Sequence, residues 1–176
     1  MTSPAPTAER FQLWLAEHRG IVIKVARSFA PTPGDAADLQ QEILLQLWLS
    51  LENYAGQAKL STWIYRVSLN TALTWRRGVA RRERRIAPTA DFSQVAAEAA
   101  SPAERADQRE LLEKLYAAIH ALPASDRALV LLSLDGLAYR EIADITGLTE
   151  NHVGVALTRA RRRLAGLLKG VTDELE

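Results

Sequence analysis

The stretch YREIADITGLTENHVGVAL, residues 139–157, decides how this chain is read. Ala143 is small where two helices would cross, and Gly147, four residues on, permits a tight turn. Thr149 is placed to cap a second helix, and Val153 and Leu157 are placed to bury against the first. That is the punctuation of a helix-turn-helix. The second helix is expected over Glu150–Leu168. At about 100° per residue, Val153, Leu157, Ala160 and Leu164 share its buried face. Asn151, Val155, Thr158, Arg159 and Arg162 lie on the opposite face. A polar and basic outer face near a helix N-terminus is what a recognition helix presents to a major groove. Asn151 carries the amide that pairs with adenine, and Arg159 the fork that pairs with guanine or a phosphate. Arg161, Arg162 and Arg163 suit phosphates, which set affinity and salt dependence but not sequence. A solvated basic helix end that complements the macrodipole is the competing reading, and the turn spacing beside the arginines weighs against it. His152 reads equally as a surface residue or a DNA contact.

Outward from this motif, the 176 residues are enough for one ordinary domain or two small ones. A hydrophobic fraction of 48% supplies core material. The absence of cysteine excludes disulfides and thiolate metal sites and fits a reducing cytoplasm. His18, His120 and His152 have no ligand spacing, so no metal is expected, and no motif calls for another cofactor. No run of about 18 apolar residues is present, so no membrane span is expected. The start, MTSPAPTAER, lacks a basic region followed by an apolar run, so it is not a secretory signal. The net charge is only +1, but it is segregated. Residues 76–85, RRGVARRERR, hold six arginines and one glutamate, and residues 159–163 hold four more arginines. Between these poles, residues 91–113 carry six acids against two arginines.

The fold class is all-α: two small helical domains joined by a flexible linker, the C-terminal one containing the helix-turn-helix. Residues 1–7 read as a disordered lead and 8–85 as the first domain. Residues 86–100 form the linker, 101–170 the second domain and 171–176 a tail. Phe11, Leu15, His18, Val22, Val25 and Phe29 form the stripe of a first helix. PTPGD (31–35) breaks it, and Asp35 is expected to cap a second helix ending near Leu51. ENYAGQAK (52–59) is a polar turn segment, and Ser61 is expected to cap a third helix through Arg77 or beyond. SPAE (101–104) starts a fourth, which ends near Leu122–Pro123. A fifth runs from Ala124 to Asp135, stopped by Gly136. A sixth covers Tyr139–Thr146 and the seventh follows Thr149.

Two helices of the first domain pose questions of their own. In DAADLQQEILLQLWLSLE (35–52), Leu39, Ile43, Leu47 and Leu51 define a core face. Asp38, Gln41, Glu42, Leu45, Trp48, Leu49 and Glu52 occupy the other arc. An acidic and amide start running into leucine and tryptophan is poor solvent-facing chemistry and resembles a protein-binding strip, unless a neighbouring helix covers it. In STWIYRVSLNTALTWRR (61–77), Ile64, Val67, Thr71 and Trp75 cluster on one side, with Trp75 expected in the core. Trp63, Arg66, Asn70, Leu73 and Arg77 form the other side. With Arg81 and Arg82 in the basic run that follows, this strip suits a nucleic-acid strand with unstacked bases. Tyr54, in the preceding turn, is placed to stack on or hydrogen-bond with a base, and Trp63 reads as either core or stacking platform.

Three stretches, DAADLQQEILLQLW, STWIYRVSLNTALTWRR and ALPASDRALVLLSLDGLAYREIADITGLTENHVGVALTRARRRL, resemble in order and separation the bacterial sigma-70 family of RNA polymerase sigma factors, in particular its extracytoplasmic-function (ECF) group. The resemblance covers nearly the whole chain. It implies that Asp38, Gln41, Glu42, Leu45, Trp48 and Leu49 meet the clamp helices of the largest subunit of core RNA polymerase. It implies that Tyr54, Trp63, Arg66, Asn70, Arg77, Arg81 and Arg82 face the single-stranded −10 element. It further implies that Thr149, Asn151, His152, Val155, Thr158, Arg159, Arg162 and Arg163 face the −35 duplex. The linker would thread polymerase channels that otherwise hold nucleic acid, a path its acidic character fits. An anti-sigma factor is a further implied partner. One stretch departs from the family: where a lysine-serine-arginine run is common, this chain has Gly154, Val155 and Ala156. Base readout then shifts to Asn151, His152 and Arg159, or to thymine-methyl contact by Val155. Gly154 also costs the helix about 1 kcal/mol relative to alanine.

The expected function is therefore promoter-specific initiation without enzymatic chemistry of its own. No G-x-S-x-G, P-loop, metal cluster or cysteine–histidine set is present. The rival is a helix-turn-helix regulator that acts on duplex DNA without joining polymerase. It leaves the apolar strip of the second helix and the strand-binding face of the third unexplained.

Overall fold

The computed structural model describes residues 5–83 and 102–173, with side chains for 8–79 and 110–169. It holds seven α-helices among the described residues: α1 (Ala5–Phe29), α2 (Pro33–Ser50), α3 (Leu60–Glu83), α4 (Pro102–Ala121), α5 (Ala124–Leu134), α6 (Tyr139–Thr146) and α7 (Glu150–Asp173). A 3-10 turn at Leu51–Asn53 follows α2. The described residues contain no strand. The chain divides into two compact units, α1–α3 and α4–α7. The expected linker, 86–100, lies outside the described residues.

Several boundaries differ from the sequence reading. α1 begins at Ala5, inside the expected lead. Pro6 falls in its first turn, where a missing N–H costs no intrahelical bond. α2 begins at Pro33, not after an Asp35 cap, because proline's fixed φ suits the first helical position. Asp35 sits in that first turn, where a carboxylate complements the positive end of the helix. α3 begins at Leu60, which places Ser61 inside the helix, and it continues to Glu83. α7 runs past Leu168 to Asp173, with no proline to stop it.

The first core is built from the predicted stripes. Val22, Val25 and Phe29 of α1 are buried, together with Ile21, Ala26 and Ala30. Leu39, Ile43, Leu47 and Leu51 are all buried, as the period of α2 requires. α3 is rotated from its expected setting. Its buried positions are Thr62, Ile64, Tyr65, Ser68, Leu69 and Ala72. Trp75, expected in the core, is only half-buried, as are Val67 and Thr71 on the same side of the helix. Thr71 donates its hydroxyl to the Val67 carbonyl at 2.8 Å, so its polar atom is satisfied within the helix. The small side chains of Ser68 and Ala72 are fully buried instead, and α1 packs along α3.

In the second unit α5 is the central helix. Seven consecutive residues, Asp126–Leu132, are buried. A helix covered on all sides belongs in the middle of its domain, and α6 and α7 both pack on it. α4 and α7 close the core through Ala118, Ile119, Leu122, Ala160 and Leu164 around Val130. The end of α5 is a Schellman motif. Gly136, at φ 76°, donates to the Ser133 carbonyl at 3.0 Å, and Leu137 donates to the Leu132 carbonyl at 3.2 Å. Arg127, 2% exposed, donates from Nη2 to the carbonyls of His120 and Leu122, so a buried guanidinium satisfies the end of α4. On the exposed side of α4, the Lys114 ammonium lies 2.5 Å from Glu110 and holds its carboxyl below the usual range.

Candidate nucleic-acid and protein interfaces

The turn between α6 and α7 is built as its residue types require. Gly147 takes the left-handed conformation at φ 76° and donates to the Ala143 carbonyl at 2.8 Å. Glu141 accepts from the Ala138 N–H at 3.0 Å, which satisfies one amide at the start of α6. Thr149 caps α7: its Oγ1 accepts from the His152 N–H at 3.3 Å. Its hydroxyl is thus committed to the helix start. Ala143 is buried at the crossing.

α7 divides into the two faces that its period demands. Val153, Leu157 and Ala160 are fully buried and Leu164 nearly so. Asn151, His152, Val155, Thr158, Arg159 and Arg162 are all exposed. Val155 stands 63% exposed. The arginines do not form one uniform patch. Arg163 reaches across to α5, where its Nη1 lies 2.5 Å from Oδ2 of Asp126, whose side chain is only 4% exposed. Arg161 donates to the Ser133 hydroxyl at 2.6 Å. Arg159 and Arg162 remain the basic residues of the outer face. Gly154 has a structural partner that the sequence reading missed. A Cβ added there would stand 3.3 Å from Cε2 of Tyr139, so the ring packs where a side chain would be.

On α2, the arc opposite the core holds Asp38, Gln41, Leu45, Trp48 and Leu49, all exposed. Leu45 is 50% exposed, Trp48 43% and Leu49 61%. Glu42 is half-buried and accepts from Gln46 Nε2 at 3.0 Å, so its carboxylate is held along the helix. Trp48 is covered in part by the edge of Phe11, with ring centres 5.3 Å apart. Neighbouring α1 therefore covers one end of the strip and leaves the two leucines open.

On α3, Arg66, Asn70 and Arg77 are exposed on one side, with Leu73 half-buried beside them. Arg77 Nε donates back to the Leu73 carbonyl at 3.3 Å. Arg81 and Arg82 fall in the last turns of the helix, outside the described side chains. Tyr54 and Trp63 are half-buried and meet each other, with ring centres 5.1 Å apart. Trp14 of α1 packs its edge against both, at 5.2 Å and 6.0 Å. Arg10 lies 4.6 Å over the Trp14 ring, in cation–π range. The Tyr54 hydroxyl donates to the Ala58 carbonyl at 2.6 Å. Tyr54 and Trp63, read as candidates for contact with a base, thus pack edge-on and tilted against one another and Trp14. Trp14 follows Phe11 by three residues and precedes His18 by four, so the α1 stripe already carried the signal for it.

The described residues hold no helix long and apolar enough to cross a membrane, and no group of three histidines or carboxylates close enough to hold a metal.

Fold and surfaces together define an all-α protein of two units, the C-terminal one carrying a helix-turn-helix with an exposed basic face. The Sigma-70 region 2 family model matches residues 14–82, and the Sigma-70 region 4 model matches residues 112–164. The chain belongs to the sigma-70 family of RNA polymerase sigma factors, in its ECF group, and its role lies in transcription initiation. It is 28% identical to the ECF RNA polymerase sigma-E factor of Escherichia coli K12, over 88% of this chain and 84% of that one. It is 33% identical to the ECF RNA polymerase sigma factor SigG of Mycobacterium tuberculosis, over 80% of this chain and 44% of that one. Among solved structures it is similar in fold to the sigma factor RpoE of Bartonella quintana, solved in complex with the anti-sigma factor NepR. That match has a TM-score of 0.67 at 23% identity and covers 92% of this chain and 96% of the other.

Proposed function

We propose that the two units divide promoter recognition between them. The α2 strip of Asp38, Gln41, Glu42, Leu45, Trp48 and Leu49 holds core RNA polymerase through the clamp helices of its largest subunit. The α3 strip of Arg66, Asn70 and Arg77, with Arg81 and Arg82 beyond it, receives the separated −10 strand. α7 lies in the major groove of the −35 duplex, with Asn151, His152, Val155, Thr158 and Arg159 toward the base edges and Arg162 toward a phosphate.

The observation that carries this reading is the contrast between the two sides of α2. One side is fully buried, and the other exposes Leu45 at 50% and Leu49 at 61% beside acidic and amide residues. Leucines on an unpartnered arc with a charged border fit the buried centre and polar rim of a protein interface. Strand opening is then driven by binding. Each lost stacking step costs about 1.4 kcal/mol, and capture of a base returns about 1–3 kcal/mol.

Within this reading Tyr54 and Trp63 shape the wall behind the strip, because their rings already pack with Trp14. Thr149 and Arg163 hold the recognition helix in place through the cap and the Asp126 ion pair. An anti-sigma factor that covered the α2 strip would keep the chain from polymerase. RpoE of Bartonella quintana, similar in fold, was solved in complex with an anti-sigma factor, NepR.

Reconstitution tests the proposal. The purified chain is mixed with bacterial core RNA polymerase and a promoter library, and the transcripts are sequenced. The expected result is initiation from a defined promoter class, with weak binding of free chain to the same duplexes. Tight duplex binding by the chain alone, with no initiation in the presence of polymerase, would instead favour the duplex regulator.

A further inference from the structure

Position 154 and its neighbours give the outer face of α7 an unusual composition. Val155 is 63% exposed in the first two turns of the helix. Its neighbours one turn away on that face are Asn151, His152, Thr158 and Arg159, all polar and exposed. An apolar side chain ringed by polar ones gains nothing from water at that position. Beside it Gly154 presents bare backbone, and the ring of Tyr139, 43% exposed, closes to 3.3 Å of the place a Cβ would take. Tyr139 therefore flanks Gly154, the residue next to Val155, along the border of the exposed face. No polar side chain stands at 154 or 155 to probe a base edge.

From this geometry we infer that the chain reads the 5-methyl group of a thymine through Val155, with Gly154 and the Tyr139 ring forming the apolar wall beside it. The inference rests on α7 being the duplex-reading helix. Among the major-groove features of the four base pairs, donors and acceptors need a polar partner. The thymine methyl is the one that an aliphatic side chain can recognise. The upstream element of this sigma factor thus contains a thymine identified by its methyl group and not by a hydrogen bond.

The full chain assembled with bacterial core RNA polymerase provides the test. Upstream elements are selected from a library randomised over the −35 region, and each thymine of the selected element, on either strand, is then replaced in turn by deoxyuridine. That replacement removes one methyl group and leaves pairing intact. The expected result is one position at which uracil weakens promoter binding about fourfold, the factor that burying one methyl-sized group supplies. Val155→Ala should abolish the difference between thymine and uracil at that position. Uracil templates equal to thymine templates throughout would overturn the inference, as would a methyl dependence that survives in Val155→Ala. In either case the selected element itself would still stand as proof of upstream reading. Failure to select any upstream element would overturn the reading of α7 together with the inference.

Discussion

Arg162 and Arg163 are adjacent on α7 and meet different surroundings. Arg162 is exposed on the outer face, whereas Arg163 pairs at 2.5 Å with the buried carboxylate of Asp126. Removing the guanidinium of Arg163 leaves that carboxylate without its ion-pair partner in a site only 4% exposed. Arg163→Ala should therefore cost the second unit about 1–3 kcal/mol in denaturant unfolding. Arg162→Ala should leave stability within about 0.5 kcal/mol and lower the salt slope of promoter binding by about one. Gly154 separates stability from function in the opposite sense. Alanine there regains helix propensity worth up to about 1 kcal/mol. The obstacle is the edge of a half-exposed tyrosine ring, which needs to move only a few tenths of an ångström. Gly154→Ala should raise the melting temperature of the second unit by up to about 4–8 °C while weakening promoter binding, because the shifted Tyr139 ring crowds the reading face. Thermal melts and binding measured on one preparation would separate the two effects.

At the scale of the helix, α2 allows its two faces to be told apart by experiment. Ile43 is fully buried and Leu45 is half exposed, two positions away. Ile43→Ala should cost about 2–5 kcal/mol of stability. Leu45→Ala should leave the melt nearly unchanged and weaken binding to core polymerase, as should Glu42→Arg; equal polymerase affinity in the Glu42→Arg variant would remove that residue from the interface. This division was legible in the sequence because on α2 the helical period of Leu39, Ile43, Leu47 and Leu51 is set against an opposite arc marked by Asp38, Gln41 and Glu42, and on α7 a single apolar stripe of Val153, Leu157, Ala160 and Leu164 places the remaining residues. α3 was harder. Apolar residues surround it at Ile64, Val67, Leu69, Leu73 and Trp75, so periodicity alone permits several rotations, and the burial of Ser68 and Ala72 marks the one adopted. Trp14 meets Tyr54 and Trp63 from roughly 40 and 50 positions away, and Arg163 meets Asp126 across 37, separations that no local pattern encodes. Trp14 could be placed on the α1 stripe, and Tyr54 and Trp63 were legible as special residues, but the pairing of the three rings was not.

At the scale of the whole molecule, each unit has its own buried core, and the surfaces proposed for polymerase and the −10 strand lie on α2 and α3 of one unit while the surface proposed for duplex DNA lies on α7 of the other. Substitutions in separate cores with no shared partners act independently. The same logic extends to recognition in the assembled polymerase, where the energies of the two contacts should add. Asn70→Ala should slow strand opening by a factor that does not depend on the upstream element. Arg159→Ala should change upstream preference by a factor that does not depend on Asn70. The double variant should then show the product of the two single effects, within the factor of about two that additivity of distant sites permits. Open-complex formation measured on a consensus promoter and on one with a mutated upstream element, for all four proteins, completes the cycle. A product far from multiplicative would mean that the units communicate while bound, so that docking on paired DNA and capture of the separated strand are one coupled event.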